Sequence, residues 1–122
     1  EILNLFIQLK ENFILCRQDL KLMGECANTN IEPDEQTILA NKTSDINGVL
    51  CSGVPGAGGI DAIYAIVLSK KSRENVELMW STWGLSDDTI ELSKGCRICP
   101  LMLTSDNGNI VGVQLVQDTF FT

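Results

Sequence analysis

The chain has 122 residues, 44% hydrophobic and 20% charged, the make-up of one globular domain and not of a disordered or low-complexity segment. Sixteen acidic against nine basic residues leave a net charge of −7, which repels phosphate backbones and argues against a nucleic-acid partner. No apolar run approaches the about 18 residues of a membrane helix and no basic leader precedes a short apolar stretch, so a soluble chain without a membrane partner is expected.

The first element is a helix over residues 2–23. Ile2, Phe6, Leu9, Phe13, Cys16, Leu20 and Met23 recur at spacings of four and three, and Leu3, Leu5, Ile7, Ile14 and Leu15 widen the stripe. The pattern predicts an amphipathic helix covering the core, ending at Gly24 or one turn later. Because Glu1 already stands inside that pattern, the chain reads as a piece of a longer one. Pro33, followed by Asp34 and Glu35, opens a second helix of about ten residues through Ile38, Leu39 and Lys42. Asn41-Lys42-Thr43, formally a glycosylation acceptor, is read as chance.

Asp45-Ile46-Asn47-Gly48 is turn chemistry, and Val49-Leu50-Cys51 is a short strand. Residues 63–68 are apolar and read as a strand buried on both faces. A polar turn at residues 69–72 precedes a short helix over residues 74–83, with Val76, Met79, Trp80 and Trp83 on one face. Lys70, Lys71 and Arg73 read as a solvated turn. Residues 97–103 and 110–116 are short apolar runs around the hairpin-type turn Asp106-Asn107-Gly108. The class is α+β: two N-terminal helices, then antiparallel strands with a short helix.

The chain contains no histidine, which excludes histidine triads and zinc hydrolases of the usual kind. Its five cysteines are odd in number and irregular in spacing, which points to a reducing compartment. Cys96 and Cys99 make a lone C-x-x-C inside a strand-like stretch. Without a second ligand pair, they read as two partly buried thiols, and no metal site is expected.

Between the two strands lies Ser52-Gly53-Val54-Pro55-Gly56-Ala57-Gly58-Gly59-Ile60-Asp61-Ala62. Four glycines in seven residues cost backbone entropy unless something requires them. Two requirements are open: a tight reversal with positive φ, or bare amides forming an anion-binding concavity. Pro55 stiffens the way in and Asp61 adds a carboxylate at the exit, while Ser52 is a lesser candidate. The segment is neither a Walker A loop nor a dinucleotide fingerprint, since Gly-Lys-Ser/Thr and the last glycine are missing.

SGVPGAGGIDAIYAIVL resembles the third motif of the GHMP small-molecule kinases, in the form found in eukaryotic phosphomevalonate kinases. MGECANTNIEPDEQTILANKT resembles the stretch that precedes it there, and MWST with the later GCR is similar to a weaker C-terminal pattern. The likeness runs from about Phe13 to Arg97. It implies a ferredoxin-like C-terminal lobe over residues 1–98 and a divergent tail over 99–122. By resemblance, Gly53, Val54, Pro55, Gly56, Ala57, Gly58, Gly59 and Asp61 shape the phosphate region. ATP with Mg2+ and 5-phosphomevalonate are the implied ligands, in isoprenoid and sterol synthesis, in the cytoplasm or the peroxisome.

The family's Gly-Ser-Ser ATP loop and its catalytic acid and lysine have no counterpart here and are expected upstream. The partner implied is therefore the missing N-terminal half, and the chain alone is expected to be inactive. The rival readings are a free-standing α+β binding or interaction module derived from the lobe, and a non-catalytic product of a faulty gene reading.

Overall fold

A computed structural model describes residues 1–85 and 87–101 of the chain. The expected turn at Asp106-Asn107-Gly108 and the apolar run 110–116 lie outside the described residues. Among those described there are four helices and a two-stranded antiparallel sheet, an α+β arrangement. In chain order they are α1 (Ile2–Cys26), α2 (Asp34–Ser44), β1 (Val49–Gly53), β2 (Tyr64–Val67), α3 (Lys70–Ser81) and α4 (Asp87–Ser93). No helix among the described residues is long and apolar enough to cross a membrane.

The core forms where α2, β1 and α3 meet. Leu39, Val49, Val76, Trp80 and Trp83 make one buried cluster, with Ile38, Ile63 and Val67 packed against it. A polar relay is sealed inside it. The Thr43 hydroxyl donates to the Leu39 carbonyl at 2.8 Å and accepts from the Trp80 indole at 3.0 Å, so neither buried donor is left unpaired. Every residue of β1 is buried. β1 pairs with β2 in antiparallel register, Gly53 opposite Tyr64 and Val49 opposite Val67, with an irregularity between Val49 and Cys51.

Several expectations need correction. Pro33 stands one position earlier than a first-turn proline, as the N-cap of α2 with φ −58° and ψ 154°. The second strand is not buried on both faces, because Ile66 and Leu68 are about half exposed. The polar stretch 69–72 is no turn. Ser69 caps α3, accepting from the Ser72 amide at 3.1 Å, so Lys70, Lys71 and Arg73 sit in a helix's first turn. The short helix α4 had no place in the sequence reading. Residues 96–101 carry no strand, and Cys96 and Cys99 are exposed, not partly buried.

The largest correction concerns α1. It runs two residues past Gly24, to Cys26, but it does not cover the core with its apolar stripe: Gly24 is its only buried residue. The helix docks instead through cations on one line of its surface. Lys10 Nζ donates to the carbonyl of Ser44 at 2.6 Å, the negative end of α2. Arg17 reaches Glu32 and Asn41, and Lys21 reaches Asp34 at 2.7 Å and Thr37 at 2.9 Å. Leu3, Leu5, Leu15 and Leu22 are each more than half exposed.

Candidate functional site

The glycine segment is the connection from β1 to β2, which the sequence placed correctly. Gly53 is its last buried strand residue, and Ser52 is already spent, its hydroxyl donating to the Tyr64 carbonyl at 2.8 Å. Val54 is half-buried, while Pro55, Gly56 and Ala57 stand in solvent. The chain reverses there in a turn closed by the Gly58 amide on the Pro55 carbonyl, 3.1 Å. The Gly59 amide then donates to the Ile31 carbonyl at 2.9 Å.

Of the amides of residues 56–59, those of Gly58 and Gly59 are therefore turned inward, and those of Gly56 and Ala57 are not. Among the described residues the N–H groups of Gly56 and Ala57 have no internal acceptor. The glycines differ for the same reason. Gly58, at φ +82°, lies so close to the Ile31-Glu32-Pro33 stretch that an added Cβ would collide with the Ile31 carbonyl oxygen. Gly56, at φ +59°, faces open space, so only its backbone angle favours glycine. Packing explains one glycine and solvent-facing reversal the other.

The support under the loop comes from residues 31–36. Gln36 Nε2 donates to the Ile60 carbonyl at 2.9 Å. Glu32 is buried and held by Arg17 in a two-point pair, 2.6 and 3.1 Å, with Arg17 Cδ 3.4 Å from the Cβ position of Gly53. The two motifs that carry the resemblance are thus in direct contact: 31–36 holds 58–60 in place. Sequence reasoning singled out the loop but missed Arg17, Glu32 and Gln36. The spacing of Glu32 and Gln36 within I-E-P-x-x-Q was the available signal.

Asp61 is exposed at the loop exit, and its carboxylate makes no hydrogen bond or ion pair among the described residues. Ile60 and Asp61 also reach the rim of a mainly apolar cavity of about 650 Å³, walled by Tyr64, Trp80 and Trp83. None of residues 53–59 lines that cavity, so it is separate from the loop amides. Gln36 lines it too, and its Oε1 is buried without a partner among the described residues. Burial pushes the Cys51 thiol and the Tyr64 phenol up. Lys21 holds the Asp34 carboxyl low, and Lys94 does the same for Glu35.

With this geometry in view, comparison with known proteins is informative. Phosphomevalonate kinase of Arabidopsis thaliana, described as peroxisomal, is 40% identical over 81 residues, 66% of this chain and 16% of that protein. The phosphomevalonate kinase of Gibberella zeae is 32% identical over 83 residues, 67% of the chain and 19% of that protein. That of Candida albicans is 40% identical over 55 residues. The chain resembles part of a phosphomevalonate kinase. It spans less than a fifth of the first two relatives. No protein-family model matches it, and no solved structure does.

The ligands of a phosphomevalonate kinase can be tested against these residues. Among the described residues no group of three His, Cys, Asp or Glu side chains is placed to hold a metal ion. A Mg2+ bound mainly by phosphates takes only one or two protein carboxylates, and Asp61 fits that lesser demand as one of them. Arg17, the cation beside Gly53, is committed to Glu32. Within the described loop, the donors open to an anion are therefore backbone amides.

Proposed function

We propose that this chain is the C-terminal portion of a phosphomevalonate kinase, a GHMP-type phosphotransferase acting in the mevalonate route to isoprenoids and sterols. On this reading residues 1–98 are part of its ferredoxin-like C-terminal lobe and residues 99–122 a divergent tail. One observation carries the reading. The two segments that most resemble the kinases interlock through Gly59 to Ile31 and Gln36 to Ile60, so the similarity falls on a single built structure.

In that role the loop presents the N–H groups of Gly56 and Ala57 to the phosphate region. Gly53, Val54 and Pro55 hold its first limb, and the inward amides of Gly58 and Gly59 keep it from collapsing. Asp61 orients the acceptor or helps hold the cation. Bound ATP with Mg2+ supplies the phosphoryl group passed to 5-phosphomevalonate. Phosphoryl transfer depends on positioning and charge stabilisation, which fixed amides give without rearrangement. The remaining catalytic groups belong to chain outside this segment, so the isolated chain is inactive. The cytoplasm and the peroxisome are both consistent with this role, the latter because one relative is described as peroxisomal.

The test is a titration of the 15N-labelled chain with MgATP and with 5-phosphomevalonate. The Gly56 and Ala57 amide resonances should move while those of Gly58 and Gly59 stay, with no product formed. Turnover by the isolated chain would overturn its assignment as an incomplete enzyme. Unmoved Gly56 and Ala57 resonances would remove the loop from the phosphate site.

A further inference from the structure

The outward seam of α1 has no partner among the described residues. Leu9, Cys16, Leu20 and Met23 recur on it at spacings of seven, four and three, and all are exposed. A helix this apolar is normally buried, and a soluble monomer rarely leaves so long an apolar strip in water. The described residues of the chain's own body do not cover it, because α1 is attached to them through Lys10, Arg17 and Lys21.

A second copy of the chain fits poorly. In a two-stranded coil the positions flanking the seam lie against the partner helix. Here Lys10 and Arg17 occupy one flank, and both are locked onto the chain's own carbonyls and Glu32. Each copy would also bring a net charge of −7. The relatives offer a better occupant, since more than four-fifths of the Arabidopsis and Gibberella kinases lies outside the matched segment.

We propose that the seam of α1 docks against the remainder of a kinase-length polypeptide, and so sets that remainder beside the glycine loop. This rests on the reading of the chain as part of a phosphomevalonate kinase. The seam leads to the loop: Arg17, one position from Cys16, lies against Gly53. A body seated on Leu9 and Cys16 therefore meets the end of β1 from which the loop departs. The apolar contact supplies adhesion, and the cationic stripe behind it fixes the helix's angle to the loop.

Cys16 reports on the seam, and Cys26, exposed at the end of the helix, serves as the control. N-ethylmaleimide labelling of each, read by peptide mass spectrometry, is compared in two proteins. One is the isolated 122-residue chain. The other is the Arabidopsis phosphomevalonate kinase carrying this chain in place of its matched segment. Cys16 should label about tenfold more slowly in the graft, and Cys26 at an unchanged rate. Leu9→Asp in the graft should restore Cys16 labelling.

Equal Cys16 labelling in the two proteins overturns the proposal. So does an isolated chain that light scattering finds dimeric with Cys16 already protected. If the graft does not fold, the rest of the Arabidopsis kinase is added in trans. A one-to-one complex that protects Cys16 supports the proposal, and no complex overturns it. Labelling requires no phosphoryl transfer, so the two readings fail separately. A graft that protects Cys16 but leaves the Gly56 and Ala57 resonances unmoved by MgATP sinks only the loop's role.

Discussion

Helices α1 and α2 reverse the usual relation between apolar content and burial. α1 has 25 residues and buries only Gly24, while α2 has 11 and buries Gln36, Leu39, Ala40, Thr43 and Ser44. The shorter, more polar helix is the structural centre, because it lies against β1 and its Thr43 hydroxyl and Gln36 amide nitrogen are paired inside the fold. The longer helix is joined by charge–dipole and ion-pair contacts, with its greasy side turned away. Hydrophobic periodicity identifies which face is to be covered, but not what covers it.

The contrast can be broken most forcefully at Arg17. Arg17→Ala leaves the Glu32 carboxylate buried without its cation, and should lower unfolding stability by about 3–5 kcal/mol. Urea unfolding followed by tryptophan fluorescence will measure it, since both tryptophans are in the core. A loss under 1 kcal/mol would show that α1 is not anchored there.

Gly58→Ala comes next, at about 3 kcal/mol, because the new Cβ strikes the Ile31 carbonyl and the residue must keep a positive φ. Gly56→Ala has only the backbone penalty, about 1 kcal/mol. Equal costs in the same urea assay would contradict the two different reasons given for these glycines. Thr43→Val should cost roughly 1–3 kcal/mol by stranding the Trp80 indole N–H in the core. At the far end, Leu15→Ser on the open side of α1 should change stability by less than about 0.5 kcal/mol in the isolated chain.

The smallest expected effect is acid sensitivity. Asp34 and Glu35 titrate below their ordinary values of 3.8 and 4.5 when folded, through Lys21 and Lys94. Their contribution is complete above the ordinary values and is lost as the pH falls through the lowered ones. Both groups are at the surface, so the urea midpoint should decline only slightly below about pH 4.5. Lys21→Met with Lys94→Met should flatten that decline.

Much of the fold could be read along the chain because its signals are local. The 3–4 spacing gave α1, Pro33 with its following acids gave α2, and the glycine cluster between apolar runs gave the β1–β2 connection. The start of α3 was missed because Ser69 and Ser72 act as a cap and look, in sequence, like any polar turn. α4 was missed because seven residues hold too little periodicity to register. At the site, the position of the loop was legible but the duty of each glycine was not. Gly58 answers to a carbonyl 27 positions earlier, a distance no local pattern encodes. Arg17 and Glu32 were invisible as a pair for the same reason.

Fastening the Gly59 amide to the Ile31 carbonyl, and Gln36 to Ile60, makes the loop ride on the first turn of α2. The loop cannot then swing as an independent flap. Any tilt of α2 moves Gly56 and Ala57 with it, and a force on those amides is passed to the hydrophobic centre of the molecule. Adaptation to ligand would therefore come from rigid-body travel of the whole unit, leaving the loop's own shape nearly constant.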